Sequence, residues 1–256
     1  MIKPISLAVL LGAAALSSCG DSAVQEITAP AAESRVRFFN FGVNAPAVNF
    51  YAGTSKLTAV SSTTGTESTL GTSYGVAASG GFYSAVAPGD YTLTARISAT
   101  VDKDLAIATV TQTIASGKSY SVYMSGFYNV GTKTVEAFAV EDPYPAAIDY
   151  AFAQVRFVNA ISNSSPMILY AKNTTSLLEG QVGDVQAYKA AGAFTPVPTG
   201  VYDLSTRLAG SGTNIITRTG VSFVAGRIYT ITARGDITVV SATATNRPIL
   251  DNTPNR

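Results

Sequence analysis

Arg35-Val36-Arg37-Phe38-Phe39-Asn40 and Gln154-Val155-Arg156-Phe157-Val158-Asn159 are one short phrase used twice, at an offset of 119 (156 − 37). In an extended strand Val36, Phe38 and Asn40 share one face, and Arg37 and Phe39 share the other. The same offset carries Phe50-Tyr51-Ala52 onto Leu169-Tyr170-Ala171. Further along it becomes 111 (200 − 89), from Gly89-Asp90-Tyr91-Thr92-Leu93 to Gly200-Val201-Tyr202-Asp203-Leu204, with Arg96 landing on Arg207. It is 109 (226 − 117) from Gly117-Lys118-Ser119-Tyr120 to Gly226-Arg227-Ile228-Tyr229. An offset that changes between strands and holds within them puts the length differences in loops. A unit of this length is a duplicated domain, since solenoid repeats run about 20–50 residues.

The alternation continues in both copies. Val48-Asn49-Phe50-Tyr51-Ala52 runs into the turn Gly53-Thr54-Ser55-Lys56, and residues 61–81, rich in Ser, Thr and Gly, carry only weak periodicity. Ala87-Pro88-Gly89-Asp90 is a turn, after which Tyr91, Leu93, Ala95 and Ile97 point one way and Thr92, Thr94 and Arg96 the other. Strands are predicted over 106–114, from Tyr120 through Met124, and over 134–140. About seven short strands with turns at roughly 10-residue spacing predict, for each copy, an antiparallel β-sandwich of the immunoglobulin-like or transthyretin-like kind. The fold class is therefore all-β.

Composition agrees. Charged residues are 13% of the 256, and the chain favours strand and turn formers over helix formers. Lys plus Arg number 17 against 16 acidic residues, and removal of Lys3 with a leader leaves a neutral chain with no basic stripe, which argues against nucleic acid. With no histidine and a single cysteine, Ser-His-Asp and Cys-His catalysis, the usual Cys/His zinc sites and an internal disulfide are all excluded.

Residues 1–18 read as a signal peptide, with Lys3 in front of a twelve-residue apolar stretch (5–16) too short to span a bilayer. It ends in Leu16-Ser17-Ser18-Cys19, which resembles the lipobox of bacterial lipoproteins. That resemblance implies acylation of Cys19 and anchoring to a membrane of the cell envelope, the outer membrane in the favoured reading. Residues 19–34 read as a flexible tether. The organisation expected beyond it is a first β-sandwich over 35–141, a linker over 142–153 containing Pro143 and Pro145, a second β-sandwich over 154–241, and a polar tail over 242–256.

The paired openings, the Pro-Gly-x-Tyr turn at Tyr91 with its Thr-Gly-x-Tyr counterpart at Tyr202, and Gly-Lys-x-Tyr and Gly-Arg-x-Tyr at Tyr120 and Tyr229 look like the domain of unknown function 4397. That family occurs, often in tandem, in exported and lipid-anchored bacterial proteins. The resemblance covers most of residues 35–240. It implies a β-sandwich and an extracytoplasmic setting, and brings no catalytic or binding residues to carry over.

Three groups of residues invite a site. Asp102-Lys103-Asp104 has a carboxylate spacing seen in calcium loops but lacks the further ligands a hard cation needs, and its second-copy counterpart, Ala209-Gly210-Ser211-Gly212, has no carboxylate. A solvated turn, and no metal, is expected. Glu141 and Asp142 are adjacent on a strand, point to opposite faces and cannot flank one glycosidic bond, so they read as a linker charge pair. Tyr123, Phe127, Tyr128 and Tyr144 could present rings to a glycan, but ordinary strand and inter-domain packing is the preferred reading, because strands favour tyrosine. Tyr120 and Tyr229, each three residues after a turn glycine, are expected to form tyrosine corners, with their hydroxyls bonded to backbone. No catalytic residue and no cofactor is assigned. The function expected is that of a non-enzymatic, lipid-anchored envelope protein acting as a spacer or protein-interaction unit, with an envelope protein or glycan as partner; the alternative is a glycan-binding surface lipoprotein.

Overall fold

A computed structural model describes residues 34–58 and 70–255, and its regular secondary structure is nearly all strand. Cys19, the signal peptide and residues 19–33 of the tether lie outside the described residues.

In the first module the strands are β1 (Arg35–Val43), β2 (Val48–Ala52), β3 (Ser55–Lys56), β4 (Val76–Ala77), β5 (Ser84–Ala85), β6 (Gly89–Ile97), β7 (Ala106–Ile114), β8 (Ser119–Asn129) and β9 (Thr134–Glu141). In the second they are β10 (Phe152–Asn159), β11 (Met167–Asn173), β12 (Glu179–Gln186), β13 (Thr195–Pro198), β14 (Gly200–Leu208), β15 (Ile216–Phe223), β16 (Ile228–Arg234) and β17 (Ile249–Pro254). The first module packs a sheet of order β4-β1-β8-β9, with β5 also on β1, against one of order β3-β2-β6-β7. The second repeats this as β13-β10-β16-β17 against β12-β11-β14-β15.

Most neighbours are antiparallel, but β1 runs parallel to β8 and β10 parallel to β16. Alternation along a strand fixes which face is apolar and says nothing about a distant partner's direction, so this pairing was not in the sequence pattern. Its consequence is that β1 and β8 start at one end of their sheet, and β10 and β16 at one end of theirs.

Each sandwich closes over the alternating residues that the repeat marks. Phe38 stacks on Phe50 with ring centroids 4.8 Å apart, in a core that includes Val36, Leu93, Ile97, Ile107 and Val122. Val155, Phe157, Leu169, Leu204, Phe223 and Ile231 fill the second core. The two repeated asparagines are buried and pin the loop that follows their strand. Asn40 Nδ2 donates to Pro46 O at 3.3 Å, and to Thr72 O of a more distant segment at 2.8 Å, and Asn159 Nδ2 donates to Ser164 Oγ at 3.0 Å while its Oδ1 accepts from Ile161 N–H at 3.1 Å. A buried amide so satisfied specifies one loop path.

The expected polar tail over 242–256 is corrected by the structure. Residues 249–254 form β17, antiparallel to β16 from Tyr229↔Pro254 to Arg234↔Ile249, with Leu250 buried in the second core. Leu250 supplies the inward face almost alone among Asp251, Asn252 and Thr253, too few apolar residues for alternation to register. Tertiary pairing completes the strand, as β9 does in the first module.

Candidate functional site

The sheets β4-β1-β8-β9 and β13-β10-β16-β17 bury their outer faces against one another. Phe39, Phe41, Tyr123 and Phe138 from the first module pack with Val158 and Ala160 from the second. Phe39 stacks on Tyr123 at 4.7 Å, and Tyr123 on Phe138 at 5.0 Å. The result is a four-layer stack with the two sheets of the β1 and β10 kind inside. Both faces of β1 are thus covered, which is why its run Phe38-Phe39-Asn40-Phe41 has no solvent-facing polar side.

A buried charge cluster sits in this seam, built by the repeat itself. Arg37 lies opposite Ser121 and Arg156 opposite Thr230 in the parallel pairings, and each Nε donates to its neighbour's hydroxyl, at 2.8 and 3.1 Å. Asp142, one residue past β9, and Asn255, one residue past β17, also correspond, since Asp142 N–H donates to Ser119 O and Asn255 N–H to Ile228 O, each at 2.7 Å. The pseudo-symmetry breaks at this last pair. Asp142 carries a charge and serves both modules: it accepts from Ser121 Oγ at 2.7 Å, pairs with Arg156 Nη2 and lies 3.9 Å from Arg37 Nε. Arg156 Nη1 also donates to Glu141 O at 2.9 Å.

Arg37 makes the other choice. Its Nη1 and Nη2 are buried without hydrogen-bond partners, and its guanidinium lies 4.7 Å from the Tyr83 ring centroid and 5.3 Å from that of Phe39. Aromatic faces compensate a desolvated cation in part. Tyr83 donates to Asp142 and also bonds Tyr144, while Tyr144 stacks on Phe194 at 5.6 Å and Phe194 covers Arg156 at 4.9 Å. Burial pushes the hydroxyls of Tyr83, Tyr123 and Tyr144 above the ordinary tyrosine range. At neutral pH the phenols of the cluster are therefore neutral.

The far edge of the seam is polar. Tyr188 Oη and Ser125 Oγ bond at 2.9 Å, and Lys189 Nζ pairs with Glu136 at 2.7 Å, a bond that holds the Glu136 carboxyl below its ordinary value. Arg234, paired with Asp251, lies over Phe41 and Tyr74 at 5.3 and 5.2 Å. Gly75, whose added Cβ would stand 2.9 Å from the movable end of Arg234, has φ +79°, a backbone conformation that favours glycine.

The four rings named as a glycan platform do not share a surface. Tyr123 is 0% exposed inside the seam, a correction that follows from burial of the outer face of β8. Tyr144 belongs to the charge cluster at the end where β1 and β10 begin; Phe127 and half-buried Tyr128 lie near the opposite end of β8. Tyr120 Oη accepts from Ala115 N–H and Tyr229 Oη from Val224 N–H, both at 3.2 Å. Tyr202, which the sequence reading gave no role beyond its place in the repeat, donates to Pro198 O at 2.8 Å. Asp102 pairs with Lys133 at 2.7 Å, and Asp104 accepts from Tyr51 Oη at 3.4 Å. Among the described residues no group of three or more His, Cys, Asp or Glu is placed to hold a metal ion, and no helix is long and apolar enough to cross a membrane.

An arginine flanked by apolar residues on the supposed outer face, in both copies, marks a second buried face.

Residues 153–255 match the model of the family described as Domain of unknown function (DUF4397). The second module is thus similar to this family along its whole length. The match runs through β17, in agreement with that strand's place in the sheet. The crystal structure of a "putative cell adhesion protein" from Bacteroides fragilis NCTC 9343 is 10% identical, with 87% of this chain and 98% of that chain covered at a TM-score of 0.25, a likeness too shallow to carry any argument. No curated protein matches the chain.

Proposed function

We propose that this is a non-enzymatic lipoprotein of the cell envelope, anchored at the outer membrane through acyl groups on Cys19, whose two sandwiches act together as one rigid spacer or protein-interaction unit. The observation that carries this reading is the seam. The faces that the repeat duplicates are spent on each other, around the fully buried side chains of Arg37, Asp142 and Arg156, and a buried polar network of this kind selects one relative placement of the modules. Its carboxylate is held between two guanidinium groups and two hydroxyls, those of Ser121 and Tyr83, a setting suited to fixing geometry. Anchoring by two or more acyl chains is durable where a single chain is marginal.

Two measurements test the proposal. Radioactive palmitate should label the wild-type chain and not Cys19→Ala, and labelling that survives the substitution overturns the anchor. Spin labels placed one on β7 and one on β15, in a chain without Cys19, should give a single narrow distance distribution. A broad distribution overturns the rigid unit.

A further inference from the structure

We infer that the cavity between Phe82 and Pro254 binds a small carboxylate that carries an apolar group, an aromatic acid or the carboxyl-terminal residue of a peptide, with its carboxylate paired to Arg37. The repeat shows what Arg37 lacks. Arg37 and Arg156 correspond, and each guanidinium is capped by the aromatic residue that precedes β5 or β13, Tyr83 at 4.7 Å and Phe194 at 4.9 Å. Each Nε is also satisfied by a hydroxyl of the neighbouring strand. Beyond that the two part. Arg156 Nη2 meets the carboxylate of Asp142 across the seam, whereas Asp142 comes no nearer to Arg37 than 3.9 Å from its Nε.

Asn255 holds toward Arg37 the place that Asp142 holds toward Arg156. Asp142 accepts from Ser121 Oγ with one oxygen and takes Arg156 with the other; Asn255 Nδ2 donates to Thr230 Oγ1 at 2.8 Å, which leaves an amide oxygen in the position of the second. That Oδ1 is buried without a partner, and so are Nη1 and Nη2 of Arg37, a residue 1% exposed. A desolvated cation with two free donors favours an anion, and a carboxylate takes both donors at once.

A cavity of about 310 Å³ lies against this gap. Phe82 and Tyr83 line it from the first module and Thr253, Pro254 and Asn255 from the second, so its walls include the ring that caps Arg37 and the amide that stands in for a carboxylate. No lining residue is charged, and nothing in the wall repels an anion. Phe82 is 78% exposed at its rim, and Gly80 and Gly81, at φ +67° and +84°, leave that wall bare of side chains. To reach Arg37 the carboxylate displaces the Asn255 amide. Its apolar group then lies on the Phe82 and Tyr83 side, as Tyr144 lies on Phe194 at 5.6 Å beside Asp142. A ring with a carboxylate thus supplies to Arg37 what Tyr144 and Asp142 supply to Arg156.

Saturation-transfer NMR on the full-length protein in neutral detergent should detect sodium phenylacetate or the tripeptide Gly-Gly-Phe, with several-fold weaker binding of the corresponding amide. Binding of phenylacetate assigns the site to a free acid, and binding of the tripeptide alone assigns it to a peptide terminus. Asn255→Asp supplies the missing carboxylate from the chain itself, so it should raise the urea midpoint above the parent's and weaken ligand binding several-fold. Arg37→Gln, where it folds, should weaken binding as well. Absence of binding by both carboxylates, equal binding of acid and amide, an Arg37→Gln protein that binds as the parent does, or an Asn255→Asp protein that binds undiminished or unfolds at lower urea overturns the inference.

Discussion

Replacing Asp142 with Asn keeps the shape of the cluster and removes the carboxylate that Arg37 and Arg156 share. Two guanidinium groups then face each other in a seam that water does not reach, and the expected loss is about 3–5 kcal/mol, as for other buried pairs stripped of one partner. A urea titration reads it, and a midpoint equal to the parent's would show that the seam does not depend on that charge. Tyr120→Phe and Tyr229→Phe each leave one backbone N–H without its acceptor, that of Ala115 or Val224. The expected cost is about 0.5–1.5 kcal/mol apiece, equal between the copies within error. A large difference between them in the same titration would show that the two tyrosines are not equivalent.

At the scale of the element, β17 decides whether the second module closes. Ending the chain at residue 248 removes Leu250 from the core, the Asp251 partner of Arg234 and the ladder along β16 from Tyr229 to Arg234. Bared ladder groups and a lost core side chain exceed what a small sandwich tolerates. The truncated chain should therefore aggregate or give an unfolded amide spectrum, and a dispersed spectrum would relegate β17 to an appendage. β13 shows the opposite design. Pro196 and Pro198 alternate with Thr195 and Val197 opposite β10, and a proline has no N–H to offer on the free side of that edge.

For the whole molecule, pH reaches the seam through its phenols. Burial raises the hydroxyls of Tyr83, Tyr123, Tyr144 and Tyr188 above the ordinary tyrosine value. A group whose folded value is raised contributes stability that is fully present below its unfolded value, about 10 for tyrosine, and loses it as pH rises toward the folded value. Stability should accordingly be level through neutral pH and fall once the pH passes about 10. Tyr144→Phe and Tyr188→Phe should each make the fall shallower. Urea midpoints followed together with tyrosinate absorbance check this, and a slope unchanged in both variants would place the alkaline loss elsewhere. Because the modules share the seam, a single cooperative transition is expected at every pH.

The sequence by itself determined the duplication, the sandwich of each copy and the inward residues of its main strands, because a period of two and turn chemistry are local properties. Val36, Phe38, Val155 and Phe157 were legible as core for that reason. Only the tertiary structure decided that Arg37, Phe39, Tyr123 and Arg156 are buried, since the second face of a strand is covered by whatever packs there, and alternation cannot name a distant neighbour. It likewise decided that residues 249–254 are a strand, through a partner that supplies the hydrogen bonds its own composition does not advertise. Asp142 joins both accounts. Read along the chain it is a linker carboxylate; in space it is the charge on which two copies of one motif meet.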